Sequence, residues 1–327
     1  MRAAWYERNG DPDVLVVGEL PDPLPAAGEV RVRVAAAGIN PRDVKRRSGS
    51  GGRVMEHPLV VPGDDGAGVV DAVGAGVPAD RVGERVWVHS ANHGRPLGTS
   101  ADYVTVPAAH AIPLPDGVSF LEGACLGVPA LTAHRCVFAD GPVEGRTVLV
   151  TGGAGAVGRY AVQWAALAGA TVIATASTDD KRRAARDAGA RHVVDRRQAG
   201  AAEEILRLVG PGGVDRIVDV AFGANLALSS AVIGVNATIA AYGSDAEPEP
   251  CLPFYSLMRR GVTIRTVLVF VMPAPALAAA VADITKLLQE GRLTHQIAEQ
   301  YPLEDIAAAH RAVERGRHLG RIVLAVA

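Results

Sequence analysis

A short apolar run, Val148-Leu149-Val150-Thr151, leads directly into Gly152-Gly153-Ala154-Gly155-Ala156-Val157-Gly158, and a helix-patterned segment follows. A second strand pattern, Thr171 to Ala176, ends about 20 residues further on, as a strand–turn–helix–strand unit requires. In such a unit Gly153 is expected to permit the tight turn and Gly155 to let the backbone approach a ligand closely. Gly158 is expected to let the helix pack against the strand. The first turn of the helix offers unpaired N–H groups and the positive end of the helix dipole. Together these features fit the pyrophosphate of a dinucleotide, with Gly153, Ala154, Gly155, Ala156 and Val157 as its cradle.

The pattern around this turn extends it to a domain. Helix-like segments at Gly158–Ala168, Asp179–Ala188 and Ala201–Val209 alternate with strand-like runs at His192–Asp195, Ile217–Val220 and Thr238–Tyr242. Short connections between them imply an α/β, doubly wound parallel sheet covered on both faces. The chain before Gly123 reads differently. Valine-rich alternation at Glu29–Ala37, Gly66–Val73 and Val82–Val88, broken by glycine and proline, predicts a β-rich domain. Arg42–Arg53, basic and glycine-rich, reads as a loop. After Val262 come a long helix over Pro275–Glu290, a second over Leu303–Arg315 and a strand over Arg321–Ala325. The expected division is 1–122, 123–265 and 266–327, the last segment completing the parallel sheet and returning to the first domain.

The end of the second strand selects the cofactor. A site for NAD carries Asp or Glu there to bond the ribose 2′-hydroxyl. This strand ends Thr175-Ala176-Ser177, with no carboxylate before Asp179, while Lys181, Arg182, Arg196 and Arg197 lie nearby. Small residues leave room for a 2′-phosphate and basic ones neutralise it, so the expected cofactor is NADPH. Asp179 and Asp180 weigh in the other direction.

Composition bounds the remaining possibilities. Hydrophobic residues make up 49% of the 327 positions, enough for large cores, and the net charge of −2 gives no reason to expect nucleic acid or an anionic membrane as partner. No apolar run reaches the length of a membrane span, and the three widely spaced cysteines suit a reducing compartment; the expectation is a cytoplasmic protein.

Several segments in order resemble the medium-chain dehydrogenase/reductase superfamily, and within it the zeta-crystallin-like quinone oxidoreductases. They are Ala36-Ala37-Gly38-Ile39-Asn40-Pro41-Arg42-Asp43, Pro62-Gly63-Asp64-Asp65-Gly66-Ala67-Gly68, Val82-Gly83-Glu84-Arg85-Val86, Gly127-Val128-Pro129-Ala130-Leu131-Thr132-Ala133, the glycine turn, Tyr242-Gly243-Ser244 and Tyr301-Pro302-Leu303. The resemblance implies a GroES-like first domain and a Rossmann second domain. It assigns Ser177, Lys181 and Arg196 to the 2′-phosphate, and Asn225, Tyr242, Gly243, Ser244, Leu268, Val269 and Phe270 to the cofactor. Thr132 falls near the nicotinamide ribose and Asn40 near the reacting ring. It also implies a homodimer or homotetramer, with Thr263–Val271 as a candidate edge.

Zinc-dependent members of the superfamily carry cysteine after the first glycine and a Gly-His-Glu triplet. Here those places hold Ile39-Asn40-Pro41 and Gly63-Asp64-Asp65, and no four-cysteine lobe exists. His89 and His93 lack a third ligand in sequence. A site without a Lewis acid suits acceptors that are already electrophilic, such as quinones and α,β-unsaturated carbonyls. Asn40, Lys45 and Arg47 are the candidate catalytic donors toward charge developing on the acceptor. The resemblance also marks departures: Lys45 and Gly51 stand where relatives often carry tyrosines, and Asp245 where an arginine occurs. Alternative readings are a cofactor-binding protein with a structural or RNA-binding role, and a zinc-lacking relative of the alcohol dehydrogenases.

Overall fold

The alternating segments between 147 and 266 form a six-stranded, wholly parallel sheet in the computed structural model, which describes residues 1–326. Its strands run, in spatial order, His192–Val194, Thr171–Thr175, Thr147–Val150, Val214–Asp219, Ile233–Ala241 and Thr263–Thr266. The strand order reverses between Thr147–Val150 and Val214–Asp219, and such a reversal opens the crevice in which dinucleotides bind. Leu149, Ile173, Ile205, Ile217 and Ile239 are fully buried between sheet and helices, which is why the central strands are apolar on both faces. This is the doubly wound sheet that the alternation predicts.

The chain divides into two compact units, 129–280 and 1–128 with 281–326. The expected boundaries at 122/123 and 265/266 lie six and fifteen residues before these breaks. The second unit is built on a mostly antiparallel sheet in the order Ile297–Pro302, Arg321–Ala325, Glu29–Ile39, Asp65–Val73, Arg85–Val88, Ala111–Pro113, with Tyr103–Pro107 also on Glu29–Ile39. The final strand thus pairs with one of the first, Ile322 opposite Ile39, and this sets Arg321 beside Asn40.

Four expectations change. The segment after 266 does not complete the parallel sheet, because its strands, Ile297–Pro302 and Arg321–Ala325, lie in the other sheet. Residues 42–53 are not one loop: Pro41–Ser48 is a helix. Pro41 fills its first turn, where a missing N–H costs nothing, and the Asp43 carboxylate accepts the Asn40 backbone N–H at 2.7 Å. Gly49, at φ 73°, closes it, and Lys45, Arg46 and Arg47 sit in the last turn, favourable to the helix dipole. The strand expected over Val82–Val88 begins only at Arg85, because 82–84 form a turn around Gly83. The stretch Thr263–Val271 is a strand only to Thr266, and Val269–Val271 is a 3₁₀ turn.

Candidate functional site

The glycine turn lies at the carboxyl end of Thr147–Val150. The sharp turn belongs to Gly152, at φ 65°, not to Gly153 as expected. Gly153 is required for closeness instead, since a Cβ there would lie 2.6 Å from the Ala174 methyl. A Cβ on Gly158 would lie 2.2 Å from the Gly152 carbonyl oxygen, which fixes glycine where the helix Ala156–Leu167 leaves the turn. Gly155 is different. It is exposed, its φ of −76° suits any residue, and its added Cβ would meet nothing nearer than 3.3 Å. Gly155 is also the N-cap and offers no side chain to the helix. The first N–H to bond back is that of Arg159, to Gly155 O at 2.8 Å, so those of residues 156–158 have no partner among the described residues. This open cradle of donors fits a pyrophosphate.

Beside it, the Asp219 carboxylate gathers the neighbouring loops. Its Oδ1 accepts from Thr151 Oγ1 (2.9 Å), Ala221 N (3.0 Å) and Asn225 Nδ2 (2.6 Å), and its Oδ2 from Ser229 Oγ (3.3 Å). Asn225, a candidate cofactor contact, is thus committed and buried, with only Oδ1 unpartnered. Ser244 Oγ accepts from Gly223 N at 2.9 Å and holds the start of the helix Phe222–Val232. Tyr242 and Gly243 follow strand Ile233–Ala241, and a Cβ on Gly243 would crowd the Val220 carbonyl at 2.6 Å. Leu268 is exposed, Val269 buried, Phe270 half-buried, and Thr132 buried in the helix Gly127–Phe138.

At the other end of the cradle, Ser177 follows the strand Thr171–Thr175. The basic residues near it divide into two pairs. Arg182 and Arg197 are engaged with Asp195, whereas the Lys181 and Arg196 side chains have no partner among the described residues.

In the other unit, Asn40, Asp65 and Arg321 form one buried network. Asn40 Nδ2 donates to Asp65 Oδ2 (2.8 Å), and Arg321 donates to Asn40 Oδ1 (2.7 Å) and Asp65 Oδ2 (3.1 Å). Asp65 Oδ1 accepts the Val128 N–H at 2.8 Å and fills the space a Cβ on Gly127 would need. Asn40 is 1% exposed, so its amide positions neighbours and has at most one N–H left to donate. Asp64 pairs with Arg42, while Asp43 Oδ1 and Asp64 Oδ1 are buried without partners. Burial and the Asp64 charge raise Asp43, and burial and the Asp65 charge raise Asp64 against the pull of Arg42; burial likewise lifts Asp65 to about 6, against the pull of Arg321.

Arg47, a candidate catalytic donor, is fully buried. It pairs with Glu314 and donates to Gly10 O, joining its helix to Ile306–Arg315, so it cannot reach an acceptor. Lys45 is half-buried on the same helix. His89 is buried against the His110 ring, 4.6 Å between centroids, and bonds Ser90 Oγ at 3.1 Å. Among the described residues no three His, Cys, Asp or Glu side chains converge as metal ligands. Reading the sequence missed Asp65–Arg321, Asp219 and Asp195. The available signal was a charged residue closing or opening an apolar strand, as Asp219, Asp195 and Arg321 each do.

Two family models match the chain: the alcohol dehydrogenase GroES-like domain over residues 26–116 and the zinc-binding dehydrogenase domain over 156–285. The human quinone oxidoreductase is 30% identical over 97% of this chain and 94% of its own length. A crystal structure described as an NAD-dependent alcohol dehydrogenase superposes with a TM-score of 0.91 at 32% identity, covering all of both chains. A mycobacterial protein solved in complex with NADPH does so with a TM-score of 0.89, also at 32% identity over all of both chains.

Proposed function

Since the chain belongs to the quinone oxidoreductase branch of the medium-chain dehydrogenase/reductase superfamily, and an NADPH-bound mycobacterial structure superposes on it over the whole of both chains, we propose that it is an NADPH-dependent reductase of quinones or α,β-unsaturated carbonyl compounds that works without zinc. The observation that carries this reading is the open donor cradle at residues 156–158, with uncommitted cations at Lys181 and Arg196 near Ser177 in sequence or across the strand ends.

NADPH supplies the hydride. The unpartnered N–H groups of residues 156–158 hold the pyrophosphate, and Lys181 and Arg196 neutralise the 2′-phosphate. Thr132, Tyr242, Gly243, Leu268 and Phe270 remain the proposed contacts along the rest of the cofactor, with Asn225, Ser244 and Val269 shaping the backbone behind them. Asn40 is a positioning residue, because its amide is spent on Asp65 and Arg321. Lys45 is the remaining candidate donor to charge developing on the acceptor. Zinc independence is supported by the chemistry of the donor set. Asn40 and Asp65 already turn their oxygens toward the Arg321 guanidinium, which supplies the compensating positive charge.

The test is NADPH oxidation by the purified protein with 1,4-benzoquinone, 9,10-phenanthrenequinone and a simple enone, with and without a chelator. Turnover with at least one acceptor and no chelator effect is expected; no acceleration by any acceptor defeats the reductase reading. We also propose that two copies associate along Thr263–Thr266, the edge of the parallel sheet, near the exposed side chains of Phe254, Tyr255 and Met258. Sedimentation of the wild type against Ile264→Pro or Thr266→Pro, whose N–H groups face away from the neighbouring strand, checks it, with a shift toward monomer expected.

A further inference from the structure

Asp195 occupies an awkward place for an enzyme that prefers a 2′-phosphate. It follows directly on the strand His192–Val194, which pairs with Thr171–Thr175, and the Ala176 N–H bonds Val194 O at 3.1 Å. Its carboxylate, at the end of the neighbouring strand, is therefore close to Ser177, where a carboxylate on the second strand would select NAD over NADP. It is 7% exposed and ionised, held down to about 2 chiefly by its hydrogen bond from Arg197.

The surrounding groups cancel that charge. Arg197 binds Asp195 in a fork, Nε to Oδ1 at 3.0 Å and one η-nitrogen to Oδ2 at 2.8 Å. The Arg197 backbone N–H adds a third bond to Oδ1 at 3.1 Å. The same η-nitrogen donates to Ser177 O at 2.7 Å, so one guanidinium ties the carboxylate to the strand end. Arg182 approaches Oδ2 at 3.5 Å and also holds Asp179 Oδ1 at 2.9 Å, which accounts for two of the acidic residues beside the phosphate position. Asp180 is paired with Arg183. Asp179, Asp180 and Asp195 are thus each paired with an arginine, and Lys181 and Arg196 pair with none of them.

We propose that Arg197 is a specificity-determining screen: it neutralises Asp195 and pins Ser177, and so keeps a buried negative charge from repelling the 2′-phosphate. Its role is distinct from that of Lys181 and Arg196, which meet the phosphate themselves. The inference rests on the assignment of NADPH as cofactor. Because Arg197 has a second η-nitrogen and is more than half exposed, a direct contact with the phosphate is the competing account, and the two differ in a double variant.

The experiment is titration of NADPH and NADH, by quenching of protein fluorescence, into wild type, Arg197→Gln, Asp195→Asn and the double variant. The wild-type ratio of the two dissociation constants tests the cofactor assignment by itself. The screen is read only from changes in that ratio. Arg197→Gln should weaken NADPH about tenfold, or about 1.4 kcal/mol, and leave NADH within about twofold. The loss should shrink at high ionic strength. Asp195→Asn added to Arg197→Gln should restore most of the NADPH affinity, since the repelling charge is gone. If the double variant binds NADPH as weakly as Arg197→Gln, Arg197 contacts the phosphate and the screen is wrong. Equal weakening of NADPH and NADH, or no change in Arg197→Gln, overturns it as well.

Discussion

Gly155→Ala separates binding from folding at the glycine turn. The residue is exposed, its backbone is in a conformation open to alanine, and a methyl group there would meet the protein only at Gly152 O, 3.3 Å away. The fold should absorb it, with a stability change within about 0.5 kcal/mol, as for surface substitutions. The methyl would instead occupy exposed space at the helix N-cap, beside the N–H groups of residues 156–158 on which the pyrophosphate is proposed to lie. A helix N-terminus contributes up to about 2 kcal/mol to a favourably placed anion, and lost charge-assisted hydrogen bonds add about 1.5–3 kcal/mol each. Losing even the first of these is about thirtyfold in affinity. Fluorescence titration should show NADPH and NADH weakened alike, because the pyrophosphate is common to both, while the urea midpoint stays put. Gly158→Ala is the counterpart: its Cβ would overlap the Gly152 carbonyl at 2.2 Å, so stability should fall first. If Gly155→Ala binds NADPH within about twofold of wild type, the pyrophosphate does not lie on this helix terminus.

Three further outcomes follow from the buried charges. Arg321→Met removes the cation from Asp65 and Asn40 and should cost about 3–5 kcal/mol in urea unfolding; Asp65→Asn in the same chain should recover part of it, and a larger loss in the double variant contradicts the pairing. Arg47→Met should lower stability by a similar amount while leaving the KM for an acceptor within about twofold, since the side chain ends on Glu314 and Gly10; a raised KM at unchanged stability contradicts its burial. His310, buried with neither ring nitrogen partnered, is held down to about 3 by burial, so the unfolded chain takes up a proton near pH 6.5 that the folded one refuses. Stability from this group is present above pH 6.5 and lost as pH falls toward 3. His310→Phe should therefore lose about 2–3 kcal/mol less than wild type between pH 7 and pH 4.5, by urea midpoints. Parallel losses would show that His310 does not carry the charge.

The parallel sheet was legible because its strands are buried on both faces and its helices on one, so the period of the apolar residues changes at each boundary. The helix Ala201–Val209 and the strand Arg321–Ala325 match their expected bounds for this reason. The helix Pro41–Ser48 escaped because a basic, glycine-flanked segment resembles a loop in composition, although Asn40-Pro41 and Asp43 carry the signs of a helix start. Strand Ile297–Pro302 escaped for another reason. It is only partly buried and gains its place by pairing with Arg321–Ala325, a long-range condition that no local period records. The candidate residues divide the same way. The positions of the glycines follow from the local turn, whereas the commitment of Asn40, Asn225 and Arg47 depends on partners 25, 6 and 267 residues away in sequence.

Both units manage buried carboxylates by the same electrostatic device. Near Ser177 a buried carboxylate, Asp195, is cancelled by arginines so that free cations remain for an anion. In the other unit Asp65 is cancelled by Arg321, and Asp64 by Arg42. Asp43 has only the Asn40 backbone N–H on one oxygen and nothing on the other, so burial and the nearby Asp64 charge raise it most, to about 7. A folded-state value above the ordinary carboxylate range means stability that is present below about pH 4 and lost as pH rises through 7. Its acid-side gain therefore opposes the acid-side loss at His310. Asp43→Asn, which keeps an acceptor for the Asn40 N–H and removes the charge, should raise the urea midpoint at pH 8 and leave it unchanged at pH 4. A drop at pH 8 would mean that the ionised carboxylate, rather than its hydrogen bond, holds the start of the helix.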